Sequence, residues 1–142
     1  MKDEKVKRLV QHALEAMRNA YVPYSRFPVG AALEQADGSV QHGCNIENAA
    51  YGPTNCAERT ALFAAIAAGQ SPRSFRAIAV VGHTTEPIAP CGICRQVMAE
   101  LCPPDMPVIL ANSNGHYRIT TVADLLPGAF SLPATDKQEE PL

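Results

Sequence analysis

Tryptophan is absent from this chain of 142 residues, and its aromatic side chains are limited to four tyrosines and four phenylalanines. No stretch approaches the roughly 18 consecutive apolar residues of a membrane-spanning helix, which excludes a helical span. Lysine and arginine number 12 against 14 acidic residues, for a net charge of −2, and they form no long basic run. The electrostatic footprint of a polynucleotide-binding protein is therefore missing, and a small neutral ligand is the better expectation. Met1-Lys2-Asp3-Glu4-Lys5 opens the chain with charge and leads into no apolar signal core, so a cytoplasmic location is expected. The five cysteines are odd in number, which argues for thiols and metal rather than a disulfide framework. Cys44 and Cys102 read as small buried apolar residues. There is no internal repeat or low-complexity tract. One domain is expected over residues 1–135, with 136–142 as a polar tail, and a chain near this length buries roughly 68–70% of its unfolded surface.

Against that background stand Cys56-Ala57-Glu58 and, after a gap, Pro90-Cys91-Gly92-Ile93-Cys94. Together they offer three thiolates and a carboxylate, with no fourth metal ligand. Structural zinc sites are closed by four side chains, whereas a catalytic zinc keeps one position for water. The glutamate two residues after the first cysteine, with a later P-C-x-x-C, matches the arrangement of the zinc deaminases and points to hydrolytic deamination. Simpler readings stand beside this one. A C-x-x-C pair also suits a redox centre or half of a structural zinc site. Asn55-x-x-Glu58 before an alanine-rich run is also a helix capping box. Each part of the constellation nevertheless falls at the expected start of a helix, where unpaired N–H groups and the helix dipole stabilise thiolates. Arg59 and Arg95 each follow a motif by one residue and are candidates to offset the thiolate charge, or else plain solvent-facing arginines.

Periodicity supplies the elements. Apolar residues at Val6, Leu9, Val10, Ala13, Leu14 and Met17 predict an amphipathic helix over 5–20. Strands are expected over 29–33 and 40–44 around Asp37-Gly38, and over 108–111 and 117–121 around Asn114-Gly115. A buried strand is expected over 76–82. Helices are expected over 55–68, ended by Gly69, and over 91–101, closed by Pro103-Pro104. This order predicts an α/β fold, a three-layer α/β/α sandwich with a mixed five-stranded sheet. Ala57, Ala61, Ala64, Ala65 and Ala68 give one helix a small-residue face that suits packing on its own sheet or against another subunit.

Five segments in order resemble the cytidine deaminase family in its small three-cysteine form: Tyr24-Ser25-Arg26-Phe27-Pro28-Val29-Gly30-Ala31-Ala32, Asn45-Ile46-Glu47-Asn48-Ala49-Ala50-Tyr51, Cys56-Ala57-Glu58-Arg59-Thr60-Ala61, Pro90-Cys91-Gly92-Ile93-Cys94-Arg95-Gln96, and Leu125-Leu126-Pro127-Gly128-Ala129-Phe130. The resemblance implies one Zn²⁺ per subunit on Cys56, Cys91 and Cys94, with Glu58 as proton shuttle. It implies that Asn45 and Glu47 bind the ribose hydroxyls, that Phe27 flanks the pyrimidine, that Ala57 contacts the substrate, and that Phe130 reaches a neighbouring subunit's site in a homotetramer. The reaction it implies is conversion of cytidine and 2′-deoxycytidine to the uridines with release of ammonia, in pyrimidine salvage. Another cytosine-bearing small molecule, such as blasticidin S, is the alternative substrate, and a zinc or redox module built on the C-x-x-C pair is the alternative outside enzymes. Pro53 and Ile93 depart from the family's commoner leucine and alanine. Read from their own chemistry, Asn45 and Glu47 two apart on an extended segment point the same way, and an amide with a carboxylate can grip vicinal hydroxyls. An Asx-turn beside a solvated acid is the other reading.

Overall fold

The fold follows from two glycine-mediated approaches of helix to sheet. The computed structural model describes residues 1–133, so the tail expected at 136–142 lies outside the described residues. Its elements are α1 (Asp3–Met17), β1 (Val29–Glu34), β2 (Val40–Cys44), α2 (Ala57–Ala67), β3 (Ala77–Gly82), α3 (Gly92–Leu101), β4 (Pro107–Asn112), β5 (Tyr117–Thr121) and α4 (Val122–Leu125). The strands form one sheet in the order β2-β1-β3-β4-β5. It is mixed, because β3 and β4 run parallel through the α3 crossover while β1–β2, β1–β3 and β4–β5 are antiparallel.

Period-two alternation divides the core between the two faces. Leu33, Ile78, Val80, Val108 and Leu110 pack with Ala61, Leu62, Ala65, Cys94 and Met98 of α2 and α3. The intervening residues Ala32, Ala77, Ala79, Val81, Ile109 and Ala111 pack with Val6, Leu9, Val10, Ala13 and Met17 of α1. The α1 face is rich in alanine and admits the helix closely. At Gly30 a Cβ would collide with the Ala13 carbonyl oxygen and lie 2.8 Å from the Met17 Cβ. Glu34, buried at the end of β1, meets Lys5 of α1 at 2.6 Å.

On the other face Gly43 does the same for α2. A Cβ there would strike the Ala57 carbonyl oxygen and lie 2.6 Å from the Ala61 nitrogen. Ala57, Ala61 and Ala65 are fully buried against their own sheet, while Ala64 is partly buried and Ala68 exposed. The three buried alanines thus serve packing within the chain. Both hairpin glycines, Gly38 and Gly115, take positive φ (88° and 89°), as their tight turns require. Gly69 closes α2 in a Schellman arrangement, Gln70 N–H donating to the Ala65 carbonyl and Gly69 N–H to that of Ile66.

The close fit at Gly43 yields an expected outcome. Gly43→Ala forces α2 away from β2 and should lower unfolding free energy by about 1–3 kcal/mol, the usual cost of overpacking. Gly52→Ala, whose nearest neighbour would be 3.9 Å away, should stay within about 0.5 kcal/mol of the parent. Urea unfolding of the two variants checks the contrast.

Candidate active site

Two helix starts converge. Cys56 is the N-cap of α2 and Cys91 the N-cap of α3, both with extended backbone, and neither uses its side chain to cap. Cys94 sits at the third helical position of α3, buried beneath Cys91. The three sulfurs lie within 4.8 Å of one another, with 3.8 Å between those of Cys56 and Cys91. Sulfurs bonded at about 2.3 Å to a tetrahedral zinc stand about 3.8 Å apart, so this donor set fits that ion in spacing and in softness.

Two of the thiols are shifted in opposite directions by their surroundings. Cys56 is pulled down to about 5, first by the hydrogen bond it accepts from the Cys94 thiol and then by Arg59, whose Nη2 lies 3.2 Å from its sulfur. Cys94 moves the opposite way, because its proton is engaged by Cys56 and burial disfavours its charge. Cys102 is raised to about 12 by burial alone, as suits an inert packed thiol.

Glu58 follows at the second position of α2, 4% exposed. The α2 helix begins at Ala57 with Cys56 as cap, so the capping box read from Asn55 and Glu58 does not form; Asn55 Nδ2 instead donates to Thr60 Oγ1 at 3.1 Å. Burial lifts the Glu58 carboxyl above the ordinary carboxylate range, and the charge of Cys56 pushes it further. Its own backbone N–H, the Cys94 thiol and Arg59 oppose that rise.

Glu58, Cys56 and Cys91 open onto a cleft of about 430 Å³ that also takes in Phe27, Val29, Asn45, Glu47, Ala57, Val80 and Ile88. A shallower cleft bounded by Tyr24, Asn48 and Tyr51 adjoins it through Ser25 and Glu47. Asn45-Ile46-Glu47 is extended and pinned on both sides, Ile46 bridging to Tyr21 and to Asn55. Asn45 and Glu47 therefore border the same cleft. Asn45 accepts from Val29 N–H (2.9 Å) and donates to the Phe27 carbonyl (2.8 Å), and Glu47 Oε1 accepts from the Tyr24 and Ser25 N–H groups (3.0 and 3.1 Å). Bonds from Ser25, together with the Tyr24 N–H, hold Glu47 below the ordinary carboxylate range. Phe27 is half-exposed at the cleft's edge.

Two sequence candidates, and the departure at Ile93, take other positions. Arg95 points its donors at main-chain carbonyls, Nε to Pro90 at 2.8 Å and Nη1 to Leu125 at 3.0 Å. It ties down the segment that carries Cys91, where the sequence suggested a counter-charge for the thiolates. Phe130 does not line this chain's cleft; it is 69% exposed, and its carbonyl accepts from Gln96. Ile93 is 63% exposed, turned away from the sulfurs it separates in sequence. Val80 and Ile88 were not singled out as site residues, because an apolar residue in a strand or loop carries no mark that distinguishes a cleft wall from core.

The sequence of residues 3–110 matches the family model described as the cytidine and deoxycytidylate deaminase zinc-binding region. A cytidine deaminase of Sporosarcina psychrophila is 59% identical over 126 residues, covering 89% of this chain and 91% of its own. One from Halalkalibacterium halodurans is 60% identical over 123 residues, covering 87% and 92%. The crystal structure of cytidine deaminase from Burkholderia pseudomallei superposes with a TM-score of 0.86 at 58% identity, covering 92% of this chain and all of that one.

The clamp formed by Arg95 can be separated from its charge. Arg95→Lys keeps the charge but cannot bridge the Pro90 and Leu125 carbonyls, and zinc retention against a chelator should fall roughly 10–100-fold, the usual effect of removing an outer support of a metal ligand. Unchanged retention would show that Arg95 has no hold on the ligand loop.

Proposed function

The chain belongs to the cytidine and deoxycytidylate deaminase family, and from that premise we propose that it is a zinc-dependent hydrolase converting cytidine and 2′-deoxycytidine to uridine and 2′-deoxyuridine with release of ammonia. The observation that carries this reading is the buried carboxyl of Glu58 sharing one cleft with the sulfurs of Cys56 and Cys91. Cys56, Cys91 and Cys94 would hold zinc, which when bound would supply an acidified water as the nucleophile.

The remaining work falls to the protein. Glu58 takes the proton from the attacking water and delivers it to the ring nitrogen beside carbon 4. As the carbon–nitrogen bond breaks, the same carboxylate takes the proton left on the hydroxyl now bonded to carbon 4 and passes it to the departing amine, which leaves the uracil carbonyl behind. A carboxyl whose burial favours the neutral form is suited to both transfers, since in each it holds a proton between taking and giving it. Arg59, against the Cys56 sulfur, offsets thiolate charge that would blunt the acidity of the water.

Phe27 and Ala57 flank the base. Asn45 and Glu47 grip the ribose hydroxyls, their positions fixed by bonds to the 24–29 segment. Phe130 completes a neighbour's cleft in a homotetramer with sites at subunit interfaces. Exposed apolar side chains at Phe63, Ile93, Phe130 and Leu132 support such an assembly. Residues 1–135 act as one catalytic domain, in the cytoplasm and in pyrimidine salvage. Among the described residues no helix is long and apolar enough to cross a membrane. Light scattering should report about four chains, and a fully active monomer would remove Phe130 from the site.

An ultraviolet assay on cytidine, deoxycytidine, blasticidin S and free cytosine tests the substrate assignment. If the ribose grip is correct, free cytosine should show kcat/KM lower by at least about 10²-fold, because truncation removes interactions that orient carbon 4. Glu47→Gln, which retains an acceptor for the Tyr24 and Ser25 N–H groups, should narrow that gap. Equal rates on cytosine and cytidine, or preference for blasticidin S, would reject the nucleoside assignment.

A further inference from the structure

A second convergence of ligand-type side chains lies outside the cleft, where α1 crosses β2. His12 and Glu15 are three apart on α1 and share one helical face. His42 lies on β2 opposite Ala32, whose side chain packs beneath α1, so the two point to that same side of the sheet. One nitrogen of each imidazole and one carboxylate oxygen of Glu15 fall within 4.8 Å of one another. His12 Nδ1 and His42 Nε2 are 2.8 Å apart, with the rings nearly edge to face at 69°.

We propose that His12, Glu15 and His42 form a second metal site, selective for a divalent first-row transition ion, that fastens α1 to β2. Two imidazoles with one carboxylate suit zinc, cobalt, nickel or copper, whereas calcium and magnesium require a shell of oxygens. The donor spacing is close to what such an ion needs. Nitrogens bound at about 2.0–2.1 Å in a tetrahedral shell stand about 3.3 Å apart, so the rings must open by about half an ångström, and Glu15, exposed on the first helix, is free to swing in. Both histidines are half-buried and their backbones are fixed by helix and strand, so most of the arrangement exists beforehand. The strand so fastened continues through Cys44 into Asn45.

The test uses untagged, full-length protein with its thiolate site already loaded with zinc and excess metal removed. Titration with Co²⁺, followed by calorimetry and absorption, should show one further equivalent bound in the micromolar range without a thiolate-to-cobalt charge-transfer band, and a raised melting temperature. His12→Gln and His42→Gln should each weaken that binding about tenfold or more, and Glu15→Gln by a smaller factor, with zinc content and turnover on cytidine unchanged. Paramagnetic broadening of the His12 and His42 ring signals in the parent locates the ion even if one histidine variant folds poorly. Absence of a further equivalent, or Glu15→Gln and the histidine variants binding Co²⁺ like the parent, would overturn the proposal and leave the two rings as a hydrogen-bonded pair.

Discussion

Three thiolates brought within bonding distance of one ion would repel one another and lose hydration, and the rest of the structure answers that constraint. The chain meets it by ending two loops at the same point and starting α2 and α3 there, so that the positive ends of two helices face the sulfurs. Neither cap cysteine is consumed in capping its own helix. Arg59 adds a full charge 3.2 Å from the Cys56 sulfur. With Zn²⁺ bound, three thiolates would sum to −1, and the dipoles and this guanidinium would offset that charge.

Positioning is as important as charge, and it is achieved by packing. Gly43 permits α2 to lie against the sheet with Ala57 and Ala61 in contact with β2, which fixes the height of Cys56 and buries Glu58 two residues later. Arg95 joins Pro90 to Leu125 and so fixes the approach to Cys91 from the other side. The segment from Asn45 to Glu47 is extended only because Tyr21 and Asn55 flank Ile46 in bridge pairs. The Glu58 carboxyl, the three cysteine sulfurs and the Asn45–Glu47 pair thus come from three chain segments, each held in place by a different device.

Much of this was legible in the residues. The five strands and three long helices appear where alternation and helical spacing place them, because period-two and 3.6-residue patterns report which face meets the core. The boundaries differ: α1 runs from Asp3 to Met17 rather than over 5–20, and α2 starts two residues later than expected, since Asn55 remains in a bridge with Ile46. The α4 turn was missed although Thr121-x-x-Asp124 announces it, Thr121 accepting from the Asp124 N–H. The metal ligands were legible because cysteine spacing leaves few arrangements. Arg95 was not, because a sequence shows that an arginine is near but not which carbonyl lies in reach of its fork. The alanine face was ambiguous for a related reason: small residues permit close approach without saying to what, and only the position of Gly43 opposite them decides.

The proposed chemistry depends on Glu58 moving the protons, and Glu58→Gln isolates that role because the side chain keeps its size while losing the group that accepts and returns a proton. The measurement is kcat on cytidine, with zinc content and melting temperature determined on the same sample. The expected result is a folded, zinc-loaded protein whose kcat falls by at least about 10²–10⁴, the usual contribution of general acid–base catalysis. Turnover within about tenfold of the parent, with zinc and fold intact, would contradict the role assigned to Glu58 and the mechanism built on it.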